Sequence, residues 1–207
     1  MKTEKLEYKG IKYLVCYPKN YKVGNKYPVM FHLHGAGSRG QNFENFKDSI
    51  ILDVLNREDS ALSEGICVFP QCHKDTWYDM FSDLLELVKA VYNREDVDKS
   101  NFNGSGISMG GYGIYQVMMC LPELFHKAIV CCGGGMYWNN GPFKNIKLRI
   151  FHGEQDVAVF PEESRRMYAR LKEVGADVTL TIYPECDHNC WEKTYGNHEN
   201  LQWLFQK

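Results

Sequence analysis

Short runs of apolar, β-favouring residues recur along the chain, and most are separated by segments whose apolar residues repeat with helical spacing. The runs predict strands at residues 12–17, 27–35, 65–71, 101–107, 127–134, 147–153 and 177–184. The intervening segments predict helices at residues 42–56, 79–94, 110–120, 161–174 and 191–206. This alternation predicts an α/β fold with a mostly parallel, doubly wound sheet and helices on both faces.

Length and composition favour one globular domain over residues 1–207. The chain has 207 residues, of which 44% are hydrophobic and 24% charged, and it shows no repeat, low-complexity tract or interdomain linker. The net charge is -2, and the lysines and arginines are dispersed rather than gathered in a basic stripe. We therefore expect no nucleic-acid partner.

The amino terminus and the cysteines indicate the compartment. The first residues mix charged and apolar side chains, without the apolar core of a signal peptide, and no segment reaches the apolar length of a membrane span. These features predict a soluble, cytoplasmic protein with no membrane partner. Several of the eight cysteines fall in apolar runs, which favours buried free thiols over disulfides.

A cluster of small residues surrounds Ser108 in the segment "NGSGISMGGYG". Such a cluster is often a flexible linker, but here a predicted strand precedes it and an apolar, helix-like segment follows. Gly106, Ser108 and Gly110 form the pattern G-x-S-x-G, in which a serine projects its hydroxyl from a tight strand-to-helix turn. The cluster therefore predicts a nucleophile at Ser108.

Two further strand ends supply partners for this serine. Asp156 follows the strand at 147–153 and His188 follows the strand at 177–184, and the order Ser, Asp, His is that of the α/β-hydrolase fold. A serine needs a base to remove its proton and an acid to orient that base. Backbone N–H groups of Met109 and of the loop at residues 34–37 are the expected oxyanion hole.

At these motifs the chain resembles the serine α/β-hydrolases of the esterase, dienelactone-hydrolase and prolyl-oligopeptidase-like group, above all small bacterial esterases and peptidases of the phospholipase/carboxylesterase type. The similarity runs from "YPVMFHLHGAG" through "VFPQC" and "GISMGGYG" to "IFHGEQD" and "DHNCW". It implies that Ser108 is the nucleophile, that Asp156 orients His188 and that Ala36 contributes to the oxyanion hole. One departure is Cys186, where the family often has a small residue.

Other acids and bases are weaker candidates. Asp187 adjoins His188, but neighbouring side chains in an extended loop point apart, so Glu154 is the reserve acid behind Asp156. The remaining histidines near strand ends are expected to orient loops by hydrogen bonding, because they do not match the order of the triad; they are His32, His34 and His152.

Metal and cofactor sites are not expected. Cys186 and Cys190 flank His188 and could be combined with Cys72 and His73 into a zinc site, but their spacing lacks the paired C-x-x-C of ordinary zinc sites. The serine at the turn also disfavours dienelactone hydrolysis, because in the similar family the enzymes with that activity carry a cysteine at this position.

Aromatic residues near the strand ends are candidates for a substrate cleft. Trp77 and Trp138 are the preferred pair, ahead of Tyr78, Tyr112 and Tyr137.

The short connection between the strands at 127–134 and 147–153 leaves no room for a lid domain. The sequence thus predicts an esterase with an open, shallow site for short acyl esters or for esters of a solvated carrier such as a sugar. A peptidase or thioesterase with the same triad remains an alternative, as does an inactive binding protein of this fold. The sequence does not set the oligomeric state.

Overall fold

The computed structural model describes residues 2–46, 50–57 and 60–206. Within them, eight strands and six α-helices alternate along most of the chain. The strands are β1 (Thr3–Tyr8), β2 (Ile11–Cys16), β3 (Tyr27–Leu33), β4 (Ile66–Pro70), β5 (Val97–Ile107), β6 (Lys127–Cys131), β7 (Lys147–Gly153) and β8 (Val178–Tyr183). The helices are α1 (Ile50–Asn56), α2 (Phe81–Tyr92), α3 (Met109–Cys120), α4 (Glu162–Glu173), α5 (Trp191–Gly196) and α6 (His198–Phe205).

All eight strands form one sheet in the order β1-β2-β4-β3-β5-β6-β7-β8. β2 pairs antiparallel with both β1 and β4, and every later pairing is parallel. This arrangement confirms the predicted α/β fold with a mostly parallel sheet. The order reverses around β3 and β4, which is where helices change from one face of a doubly wound sheet to the other.

Two apolar cores lie on opposite faces of this sheet. Within β4, Ile66 and Val68 belong to the core that includes side chains of α2, α3 and α4. Cys67 and Phe69 belong to the core that includes side chains of α1, α5 and α6. Because successive residues of a strand point to opposite faces, the uninterrupted apolar run of β4 is what burial on both faces requires.

Three elements differ from the sequence prediction. β1 was not expected, because its residues alternate between exposed and half-buried and carry several charges. The helix predicted at 191–206 is interrupted at Asn197, whose side chain accepts a hydrogen bond from the Glu199 N–H at 2.9 Å and so starts α6 as a separate helix. Of the helix predicted at 42–56, only Ile50–Asn56 is α-helical, a 3-10 turn spans Glu44–Phe46, and residues 47–49 lie outside the described residues.

The carboxyl ends of β3, β5, β6, β7 and β8 lie along one edge of the sheet. Parallel register pairs Leu33 with Gly106, and Cys131 with both Ile107 and Phe151. The loops that follow these strands are therefore neighbours. The fully described connection at 132–146, between β6 and β7, contains one 3-10 turn and no inserted cap.

The cysteines are free thiols, as expected, and all but Cys120 are buried. Over the part of the chain that the structure describes, no helix is both long enough and apolar enough to cross a bilayer.

Candidate active site

Ser108 occupies a sharp turn between β5 and α3. Its backbone has φ 53° and ψ -118°, and residues other than glycine rarely adopt such a positive φ. A Cβ on Gly106 would overlap the carbonyl group of Gly110, and a Cβ on Gly110 would overlap the carbonyl group of Leu33. Both glycines are thus needed for the strand, the helix and the end of β3 to approach each other so closely.

The structure brings Ser108, His188 and Asp156 into one hydrogen-bonded chain. His188 Nε2 lies 2.9 Å from Ser108 Oγ, and His188 Nδ1 lies 2.7 Å from Asp156 Oδ2. Since a carboxylate accepts, His188 carries its proton on Nδ1 and its Nε2 is free to take the serine proton. The arrangement can therefore activate the serine hydroxyl.

Asp156 is buried, and its carboxylate is held by several donors. Oδ1 accepts hydrogen bonds from the N–H groups of Ala158 and Val159, both at 2.9 Å, while Oδ2 accepts from His188 and lies 3.1 Å from His152 Nε2. Burial opposes ionisation, but the hydrogen bonds from His188 and from the two backbone groups outweigh it and lower the pKa of Asp156. The residue is therefore an ionised partner for His188 at neutral pH.

Gly153 allows the loops that carry Asp156 and His188 to meet. A Cβ at this position would overlap the backbone carbonyl oxygens of Asp187 and Cys186. Just beyond it, the N–H of Gln155 donates to the carbonyl oxygen of Cys186 at 2.9 Å. The loop after β7 and the loop after β8 are consequently joined through their backbones beside Asp156 and His188.

Ala36 and Met109 flank the serine on the side of β3. Met109 is the first residue of α3, and Ala36 is the first residue of a 3-10 turn, Ala36–Ser38. The first N–H groups of a helix have no acceptor within the helix, and Ala36 lines the same cavity as Ser108. The Cβ position of Gly35 lies 3.5 Å from Ser108 Cβ, which places this loop against the serine.

His34 and Trp77 fix the loop that carries Ala36. His34 Nε2 accepts from the N–H of Cys72 at 3.0 Å, so Nδ1 holds the proton and donates to the Gly35 carbonyl oxygen at 2.6 Å. Trp77 Nε1–H donates to the His34 carbonyl oxygen at 3.1 Å. Burial lowers the pKa of His34 to about 4, so the ring is neutral at physiological pH.

The expectation that Trp77 contacts substrate is therefore wrong. Its side chain is fully buried, packs against His34 with ring centroids 4.8 Å apart, and supports the loop from beneath. Trp138 is 70% exposed, but it is not among the residues that line the cavity at Ser108, so the structure does not place it in that cavity either.

Ser108 and His188 open into a cavity of about 380 Å³. Its walls include Ala36, Ile50 and Trp191. The Trp191 ring meets His188 edge-on, with 5.3 Å between ring centroids. Sequence reasoning missed Trp191 and Ile50 as wall residues, although the position of Trp191 three residues after His188 was a usable signal.

The weaker acid candidates and His32 have partners other than His188 and Ser108. Glu154 pairs with Arg165 at 2.5 Å on the surface, and Asp187 accepts from the N–H of Asn189 at 3.2 Å. Neither is the acid hydrogen-bonded to His188 Nδ1. His32 Nδ1 lies 3.0 Å from Ser105 Oγ inside the protein, so this contact joins β3 to β5 and does not orient a loop as expected.

One group of metal-binding residue types is close together in the structure, and it is not the group of cysteines and histidines considered from the sequence. Within the described residues, the donor atoms of Cys132, Asp156 and His188 lie within 4.8 Å of one another. Asp156 and His188 are already hydrogen-bonded to each other, and burial strongly raises the pKa of the Cys132 thiol, which disfavours the thiolate that a metal would bind. These contacts favour a hydrogen-bonded pair of Asp156 and His188 over a metal site at this set.

Residues 135–206 match the prolyl oligopeptidase family. No curated protein matches the chain in sequence.

Solved structures of known esterases and peptidases share the fold. A thermostable esterase is 28% identical with a TM-score of 0.84, over 99% of this chain and 62% of that protein. A ferulic acid esterase is 16% identical with a TM-score of 0.73, over 99% of this chain and 96% of that one. An acylaminoacyl peptidase from Pyrococcus horikoshii is 14% identical with a TM-score of 0.66, over 99% and 41% of the two chains.

The chain thus spans 62% of the first esterase and 41% of the peptidase. The eight-stranded sheet, the serine turn and these similarities agree with one another. The chain is an α/β-hydrolase-fold protein similar to the serine esterases and peptidases of that fold.

Proposed function

We propose that this protein is a serine hydrolase that cleaves carboxylic esters through an acyl-enzyme intermediate on Ser108. The observation that carries the proposal is the continuous hydrogen-bonded chain from Ser108 through His188 to the buried, ionised Asp156. A serine at a strained turn, a base within reach and an acid that fixes the tautomer of that base are the components that acyl transfer requires.

In the first half of the reaction, Ser108 Oγ attacks the ester carbonyl while His188 Nε2 takes its proton. Asp156 stabilises the imidazolium that forms without taking the proton itself. The N–H groups of Ala36 and Met109 are assigned to the negative oxygen of the tetrahedral intermediate. The intermediate then collapses, and His188 returns the proton to the departing alcohol.

In the second half, water replaces the alcohol. His188 removes a proton from the water as it attacks the acyl-enzyme, the second tetrahedral intermediate forms at the same N–H groups, and its collapse returns the proton to Ser108 and frees the acid. Each step uses the same short contacts, so no further group is required.

The substrate class we assign is an ester with a short acyl group or with a solvated carrier such as a sugar. The cavity of about 380 Å³ lies at the carboxyl edge of the parallel strands, and the described connection at 132–146 contains no inserted cap. The fold shared with a ferulic acid esterase is compatible with this class.

The test is the intact mass of the protein after treatment with a fluorophosphonate, with Ser108→Ala as the comparison. We expect one adduct on the wild-type chain and none on the variant, with unchanged circular dichroism in both, because the reagent reacts with activated serines. A folded wild-type chain that takes up no reagent would overturn the proposal and favour a binding role.

A peptidase is the second candidate, favoured by the match of residues 135–206 to the prolyl oligopeptidase family. Matched ester and anilide substrates with the same acyl group separate the two activities. Faster cleavage of the ester, beyond its greater intrinsic reactivity, supports the esterase; comparable specificity constants for both would favour the peptidase.

A further inference from the structure

A second histidine contacts the carboxylate of Asp156. His152 is in β7 and fully buried, and its Nε2 lies 3.1 Å from Asp156 Oδ2 and 2.8 Å from the carbonyl oxygen of Val159. On the other side of the ring, Nδ1 lies 2.7 Å from Ser164 Oγ in α4. His152 thus connects the Asp156 loop with both the sheet and a helix.

The neighbours of His152 determine its tautomer. The carboxylate of Asp156 and the carbonyl group of Val159 can only accept, so Nε2 carries a proton and donates to them. In the neutral ring, Nδ1 then accepts from the Ser164 hydroxyl group, whose other neighbour, the Gly133 carbonyl oxygen, is more distant at 3.3 Å. All three polar contacts are satisfied in this arrangement.

His152 differs from the other donors to Asp156 in where it is attached. The N–H groups of Ala158 and Val159 belong to the same loop as the carboxylate and move with it. His188 is on the loop after β8. The His152 donor alone among these four lies on a β-strand, and the flanking Val157 is 82% exposed, so little packing restrains the loop there.

We propose that His152 and Ser164 form a positioning pair that holds the Asp156 carboxylate in the orientation His188 requires. The inference rests on the proposed function, because the benefit of a fixed carboxylate is orientation of the base. Without the His152 donor, Asp156 stays anchored at Oδ1 and can pivot, which weakens the contact of Oδ2 with His188. Small errors of this kind lower turnover rather than substrate binding.

Two substitutions of His152 separate positioning from simple packing. In His152→Gln the terminal amide nitrogen takes the place of Nε2 and keeps the donor to Asp156, whereas in His152→Asn the amide takes the place of Nδ1 and loses it. With p-nitrophenyl acetate we expect kcat to fall about tenfold or more in His152→Asn with little change in KM, and to stay within about threefold of wild type in His152→Gln. Equal losses in the two variants, in step with their thermal stability, would overturn the inference.

Ser105 offers a matched control for Ser164. Both are buried serines whose hydroxyl group contacts a histidine Nδ1, but the histidine partner of Ser105 is His32 and its second partner is the Tyr195 hydroxyl group at 2.6 Å. Ser164→Ala is expected to lower kcat severalfold, and Ser105→Ala to leave kcat near the wild-type value at a comparable loss of stability. If both alanine variants lose kcat equally, the effect of Ser164 is structural and the positioning role is wrong.

A readout independent of turnover distinguishes failure of this inference from failure of the proposed function. The proton between His188 Nδ1 and Asp156 gives a low-field ¹H NMR resonance, which a His188→Ala variant identifies. We expect the resonance to persist in His152→Gln and to be lost or shifted in His152→Asn, even if the wild-type protein does not react with fluorophosphonate. A resonance unchanged in all His152 variants would contradict positioning, whatever the activity.

Discussion

Two buried histidines beside the serine turn are neutral in the folded protein. Burial lowers the pKa of His32 from 6.5 to about 3 and that of His34 from 6.5 to about 4. In the unfolded chain both rings take up protons near pH 6.5, so between about pH 6.5 and pH 4 the unfolded state binds more protons than the folded state. The contribution of these two neutral histidines to the free energy of unfolding is therefore complete above about pH 6.5, and it is lost as the pH falls toward their folded-state pKa values.

The expected size of this loss is about 2 to 3 kcal/mol for each histidine between pH 7 and pH 4.5. Urea unfolding at the two pH values measures it. In His32→Gln the difference between the two pH values should shrink by about that amount, because the ring that must stay neutral is gone. His198→Gln, at an exposed position, is the control that should keep the wild-type difference. A His32→Gln variant with an unchanged difference would show that this histidine does not contribute.

At the level of residues, the sequence predicted which side chains carry the chemistry better than it predicted which side chains are buried. The order of Ser108, Asp156 and His188 at strand ends was enough to propose a triad, because parallel topology brings strand ends together. Trp77 was assigned to substrate, but whether an aromatic ring faces a cavity or lies beneath a loop depends on tertiary packing that no local pattern contains. His152 was expected to orient a loop by hydrogen bonding, but its partner Ser164 was not foreseen, since the two residues belong to different elements.

The serine turn depends on the absence of a side chain at Gly110. A Cβ there would overlap the carbonyl groups of Leu33 and His34, so α3 could not pack against the end of β3. We expect Gly110→Ala to lower the free energy of unfolding by about 3 kcal/mol, because the obstructing atoms are backbone and cannot move aside cheaply. Thermal or urea unfolding measures the change.

Gly196 is the control for this substitution. It lies at the end of α5, with no atom within 4 Å of its Cβ position. Gly196→Ala should be neutral or slightly stabilising, since it restricts the unfolded chain without a clash. A Gly110→Ala variant as stable as Gly196→Ala would mean that the close approach at the turn is not required.

At the level of elements, predictability followed the strength of the local pattern. The buried strands β4 and β6 were predicted within a few residues, because their apolar runs are uninterrupted or nearly so. β1 was missed because it pairs with β2 alone, at the edge of the sheet, and exposes alternate residues. The break between α5 and α6 depends on one capping side chain, Asn197, within a segment whose apolar spacing continues across it.

At the level of the whole molecule, sheet order and loop lengths decide how much of the site is open to solvent. The α/β class followed from the alternation of elements, whereas the position of β2 between β1 and β4 is set by long-range pairing that the sequence pattern does not encode. The described connection between β6 and β7 contributes no cap, and Trp138, which it carries, is 70% exposed.

The volume of the cavity at Ser108 predicts how turnover depends on acyl length. The cavity of about 380 Å³ can bury a short acyl group beside Ile50 and Trp191, and the methylene groups of a longer chain would extend beyond this volume. Each buried methylene would add about 0.8 kcal/mol of binding, or roughly fourfold in kcat/KM, and an exposed one adds little. With p-nitrophenyl esters of acetic, butyric, octanoic and dodecanoic acids, kcat/KM should therefore stop rising at or before butyrate. The leaving group is the same throughout, so the series compares only the acyl site, and a maximum at octanoate or dodecanoate would show that a longer apolar channel forms in solution.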